Sequence, residues 1–131
     1  KKARKLGFEA LASDTAEDWH ELRKWAKHLL FQLEPLAPCL EDTDHHPGEL
    51  NTLGKRLGKL HDLHVLIENL RARERRRNNG EELAIALLVV RRREAALLEE
   101  VRKGTRYWFA NKPGVFRRQL RAARNQRRAS A

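Results

Sequence analysis

Four side chains suited to holding anions, His20, Arg23, Lys24 and Lys27, fall within one stretch, HELRKWAKHLLFQLE. At about 100° per residue they share one side of a helix with Phe31 and Glu34. Leu22, Trp25, Ala26, Leu29, Leu33 and Leu36 fall on the other side, where they are expected to bury against neighbouring helices. Lysine meets phosphate oxygens as a point charge and arginine as a planar fork. A helix rises about 5.4 Å per turn, so a polyanion lying along it meets a fresh cation at each turn. His20 adds a donor once protonated at mildly acidic pH. The competing reading is an ordinary solvated face. Against it, the row lacks the alternating acid–base pairing of a typical surface helix until Glu34.

Leu57-Gly58-Lys59-Leu60-His61-Asp62-Leu63 forms a second constellation. Its functional reading puts His61 beside an anion and has Asp62 hold a basic neighbour in position. Its competing reading is a core-edge histidine and a surface carboxylate. Gly54 and Gly58 lie near the same side. Glycine within a helix costs roughly 1 kcal/mol relative to alanine, so the pair suggests close approach by another backbone or by a ligand.

Metal and catalytic chemistry find little support. His61 and His64 are three residues apart, and His45-His46 sit in an acidic loop. Zinc needs about three or four ligands in a compact set, which these dispersed histidines and Cys39 do not supply. The chain shows no Ser/His/Asp arrangement, no activating base for Cys39, no glycine-rich phosphate loop and no paired carboxylates positioned on an anion-binding face. Hydrolysing a phosphate chain requires metal-holding acids, and Glu34 alone is insufficient. The expectation is a non-enzymatic protein with no cofactor.

The elements that must position these residues all read as helices. Residues 1–15 form a basic lead-in, helical or linking, broken near Gly7 and at Ser13-Asp14-Thr15. Thr15 with Asp18 is a helix-start signal ahead of a helix over Trp19–Leu36, which Pro35 and Pro38 end or kink. Residues 41–48, EDTDHHPG, read as a loop. A second helix runs from Glu49 to Arg77, with Leu50, Leu53, Leu57, Leu60, His61, His64 and Val65 on one side. Asn78-Asn79-Gly80 suits its C-terminal cap. A third starts near Glu81, its stripe made of Leu83, Leu87, Val90, Glu94, Leu97 and Val101. Arg91-Arg92-Arg93 forms a basic collar around its middle, and Gly104 ends or bends it. Lys112-Pro113-Gly114 is a turn, followed by a short helix from Val115 to about Arg124. Residues 125–131 read as a frayed tail. The expectation is a single all-α domain over 1–131, a bundle of about four helices.

Composition narrows the partners. Net charge is +10 over 131 residues. Residues 1–100 hold 18 basic and 18 acidic side chains, whereas residues 101–131 hold 10 basic and none acidic. The whole excess therefore lies in the C-terminal block, which favours phosphate-bearing partners. Trp108-Phe109 with Phe116 reads as core, although Arg106, Lys112, Arg117 and Arg118 beside it keep a nucleic-acid interface as the alternative. One cysteine excludes an intrachain disulfide and accords with a cytoplasmic location. No apolar run is long enough to span a bilayer, and no signal peptide is visible. Methionine is absent even at position 1, which implies a natural start further upstream.

Taken together, these residues resemble the CHAD family, the conserved histidine α-helical domain. The likeness rests on His20-x-x-Arg23-Lys24-x-x-Lys27-x-x-x-Phe31-x-x-Glu34, then Leu57-Gly58-x-Leu60-His61-Asp62, then Lys112-Pro113-x-x-Phe116, over most of residues 19–120. The family is built from two similar four-helix halves around a basic channel. Its members bind inorganic polyphosphate, often accompany a triphosphatase-type domain and are not known as catalysts. The resemblance covers the C-terminal half only, so it implies a second CHAD-like half or self-association. It also departs from the family: Leu30 replaces a frequent arginine, Phe31 a common tyrosine and Gly54 a usual glutamine, and the missing arginine weakens the anion site. The implied polyphosphate contacts are His20, Arg23, Lys24 and Lys27 with His61 assisting, and Arg56, Lys59, Arg117, Arg118 and Arg121 at the rim.

Overall fold

The computed structural model describes residues 1–41, 43, 45–76 and 80–130. In order these form α1 (Lys2–Ser13), α2 (Ala16–Leu33), a 3-10 turn (Glu34–Leu36), the one-turn α3 (Ala37–Leu40), α4 (Pro47–Arg76), α5 (Gly80–Trp108) and α6 (Pro113–Ser130). The all-α class expected from periodicity holds. The additional long helix is α1, read from sequence as a lead-in.

Local chemistry sets the α1–α2 corner. Asp14 takes a left-handed backbone (φ 54°), and its N–H bonds to the Ala10 carbonyl, closing α1. Its carboxylate accepts the Trp19 indole N–H at 2.9 Å and pairs with Arg102 of α5. Thr15 caps α2 by accepting the Asp18 N–H, as the sequence signal predicts. Glu17 and Asp18 then sit at the positive end of the α2 dipole.

Two glycines expected to interrupt helices do not. A Cβ on Gly7 would lie 3.1 Å from the Phe109 ring and 3.2 Å from the Thr105 methyl. Gly7 therefore lets an unbroken α1 lie against the end of α5. A Cβ on Gly104 would come within 3.2 Å of a Leu53 methyl, so this glycine serves α4–α5 packing and α5 continues to Trp108. Pro35 does break α2: the helix gives way at Leu33 to the 3-10 turn. Leu36 is thereby turned outward and exposed rather than buried.

The α4–α5 hairpin is a heptad-like seam. Leu50, Leu53, Leu57, Leu60, His64 and Ile67 on α4 recur at steps of three and four, as do Leu83, Leu87, Val90, Glu94, Leu97 and Val101 on α5. Val65, expected on the inner side of α4, is exposed, and Ile67 is buried instead. One layer of the seam is polar: His64 Nε2 lies 3.2 Å from Glu94, which Arg91 also approaches at 3.5 Å. The expected cap at Asn78-Asn79 lies outside the described residues, as do Asp42 and Asp44 of the expected loop.

The core joins Ala3, Leu6 and Ala10 of α1, Trp19, Leu22, Ala26 and Leu33 of α2, the α4 leucines, and Val101, Trp108 and Phe109. Trp25, expected with them, is 38 % exposed, with Lys2 over its ring. The last helix packs on α3 and seats Phe116 and Leu120 against the core. Residues after Arg124, expected to fray, stay helical to Ser130. Among the described residues no helix is long and apolar enough to cross a membrane.

Leu22 is fully buried where α2 meets its neighbours. Leu22→Ala is expected to lower the unfolding free energy by about 2–5 kcal/mol, read as a fall in the urea midpoint. A loss below about 1 kcal/mol would contradict this docking of α2.

Candidate functional site

The packing of α2 against α4 brings three of the ten sequence-predicted residues together. Burial of Trp19, Leu22, Ala26 and Leu33 leaves Arg23 at the border of the apolar face, with His20 and Lys27 further round. His20 stacks on His61 of α4, ring centroids 4.1 Å apart and planes 21° apart. One turn before His61, Gly58 leaves room for Arg23: its guanidinium Nε would stand 3.6 Å from a Cβ there. The close approach expected of the glycine pair therefore occurs at Gly58 and is made by a side chain. Gly54 has no such neighbour within 4 Å of a Cβ position.

Electrostatics at this junction favour a neutral His20. Partial burial holds its imidazole below the ordinary value of 6.5, and His61, Lys24 and Arg23 push the same way against Glu21. Its Nδ1 is buried without a hydrogen-bond partner. An anion arriving here would meet Arg23 directly and would favour the protonated imidazole, since an opposite charge stabilises the charged form.

The remaining candidates divide. Lys24 and Lys27 are exposed on the same side of α2. Lys24 already donates to Glu21 at 2.7 Å, a bond that holds the Glu21 carboxyl below its usual range. The row is therefore less purely cationic than its periodicity suggests. The signal was present in the sequence as the three-residue spacing of Glu21 and Lys24. Arg56 and Lys59 point to the other flank of α4. Arg56 pairs with Glu100 of α5 at 3.4 Å. Lys59 and Asp62 line an open α4–α5 groove with Arg93 and Glu100, so Asp62 does not support the His61 side. Arg117, Arg118 and Arg121 are exposed on α6, which packs on α3, apart from the α2–α4 contact that brings His20 to His61.

A feature with no local sequence signal is a cavity of about 210 Å³ lined by Trp25, Leu29, Trp108 and Phe116, with Lys2, Arg4 and His28. His45 is buried beside it, edge-on to Trp108 and Phe116 at 5.4 and 5.0 Å between ring centroids. Its walls come from four separate segments, which is why no motif announces it. Trp108 and Phe109 are buried, as the core reading predicts, and so offer no platform for stacking bases.

Because the fold lowers the His20 proton affinity, the unfolded chain binds the proton more readily. The associated stability is fully present above 6.5 and is lost as pH falls below it. In an NMR titration the His20 imidazole is expected to have its midpoint below 6.5, and His61→Ala is expected to move that midpoint upward. A His20 midpoint at or above 6.5 would contradict the stacked, desolvated arrangement. Comparison with protein-family models, with curated proteins and with solved structures returns no match for this chain, so its chemistry rests on the geometry of the site.

Proposed function

We propose that this protein binds inorganic polyphosphate, without cleaving it, along α2 where that helix meets α4. The observation that carries the reading is the convergence of Arg23, His20 and His61 at the α2–α4 junction, with Lys24 and Lys27 continuing outward on α2. A linear polyanion suits cations spaced along a helix axis better than a compact anion does, because successive phosphoryl groups reach successive turns. Arg56 and Lys59 lie on the other flank of α4 and contribute to the surrounding field rather than to the junction. Arg117, Arg118 and Arg121 lie on α6, outside the junction, and would be met by a longer chain. In this reading the protein is one half of a CHAD-like architecture, and a cytoplasmic setting accords with its single free cysteine.

Arg23→Ala is expected to weaken binding of long-chain polyphosphate several-fold at about 0.1 M salt, and Lys24→Ala with Lys27→Ala to do the same, with unfolding midpoints little changed. Unchanged affinity in both variants would reject the α2 site. Binding is also expected to tighten from about pH 8 to about pH 6, because His20 takes up a proton beside the phosphate. His20→Gln is expected to flatten that dependence.

A second reading concerns α6, which carries six arginines and no acidic residue. Such a helix suits phosphates of nucleic acid without base readout. If this is its role, Arg117→Ala, Arg118→Ala and Arg121→Ala combined abolish duplex DNA binding and spare polyphosphate binding. Equal loss of both ligands in that variant would instead make α6 part of the polyphosphate site.

A further inference from the structure

The fifth helix carries two opposed stripes. One is the seam with α4. The other, about half a turn away, runs through Glu81, Ile85, Leu88, Arg92 and Ala95 at steps of four and three, with Val89 alongside. All of it is exposed: Ile85, Leu88 and Val89 remain 64, 56 and 62 % accessible. Neighbouring apolar side chains left this open on one helix mark an association surface rather than scattered exposure.

The charges around that patch identify its occupant. Glu81 and Arg92 flank it at equal distances from the midpoint between residues 86 and 87, as do Ile85 and Leu88. Among the described residues neither Glu81 nor Arg92 has an ion-pair partner; Arg91 is the collar arginine that does, with Glu94. An acid at one end and a base at the other make the stripe complementary to itself when reversed. A two-fold axis through that midpoint sets Glu81 against Arg92 of a second copy, and Ile85 against Leu88 of that copy. This is an isologous contact of antiparallel helices. A partner with a single sign of charge would match only one end.

We propose that the outer face of α5 is a homodimer interface, formed by antiparallel pairing of α5 with α5 of a second copy. The contact is short, so the dimer is concentration-dependent. It lies on the side of α5 turned away from α4, and Arg23, His20 and His61 remain free in both copies. The pairing thus places two α2–α4 junctions in one particle, which raises avidity for a long polyanion without a new contact.

Sedimentation equilibrium on this chain, from micromolar to millimolar concentration, tests the pairing. The wild type is expected to pass from monomer to dimer. Leu88→Glu is expected to remain monomeric, with unchanged helical circular dichroism because the residue is exposed. Arg92→Glu is expected to raise the dissociation constant at least tenfold, and Glu81→Arg added to Arg92→Glu is expected to restore the wild-type value. A wild type that stays monomeric throughout, a dimer indifferent to Leu88→Glu, or a charge swap without rescue would each overturn the proposal. The first outcome would leave the face to a different partner, and the second would place self-association elsewhere on the molecule.

Discussion

Burial of one side of α2 is the constraint on which the rest of the site depends. Once Trp19, Leu22, Ala26 and Leu33 enter the core, the rotation of the helix about its axis is set, and with it the direction of every polar residue it carries. Arg23 lands at the edge of the buried face, close enough to α4 to lie over Gly58, while Lys24 and Lys27 point to solvent. Hydrophobic burial is non-directional, yet through helical geometry it aims a guanidinium and an imidazole at one spot. The hydrogen bond from Trp19 to Asp14, and the pairing of Asp14 with Arg102, tie the start of α2 to both α1 and α5. These contacts hold the entry angle of the helix as well as its rotation.

Polar groups inside the bundle limit how it can rearrange. The His64–Glu94 pair replaces a leucine-type layer in the α4–α5 seam and is only about one-sixth exposed. A buried pair of this kind adds little net stability. It does penalise any shift of register, because sliding either helix by one turn would leave Glu94 facing an apolar layer. The register of α4 against α5 in turn decides which residues of α4 face α2. Arg56 and Lys59 fall on the opposite flank from His61 because, at about 100° per residue, both lie roughly half a turn from it around the α4 axis.

The molecule keeps its cations in separate zones. The α2 row, the collar at Arg91–Arg93 and the α6 arginines occupy different faces, each with a different relation to nearby acids. Glu21, Glu94 and Glu41 each take one cation from these zones, and Glu100 takes Arg56 of α4. Most of these pairs are exposed and screened, so they temper the local field without cancelling it. Arg23 differs in its setting: it lies over Gly58, one turn from the stacked pair of His20 and His61.

The residues by themselves determined the all-α class, the Thr15 cap, the heptad stripe of α5 and, at Leu22, Ala26 and Leu33, the core face of α2. Each of these is a local consequence of periodicity or of one side chain meeting its own backbone, so each can be read within a few turns of chain. Tertiary structure alone decided that Gly7 and Gly104 ease packing instead of breaking helices, because only the approach of Phe109 and Leu53 gives those positions meaning. It also decided that His20 meets His61 some forty residues away, that Trp25 opens onto a cavity, and that Arg56 turns to Glu100. Such pairings depend on which helix lies beside which and in what register. That follows from the simultaneous burial of several faces, and no single stretch of the chain carries it.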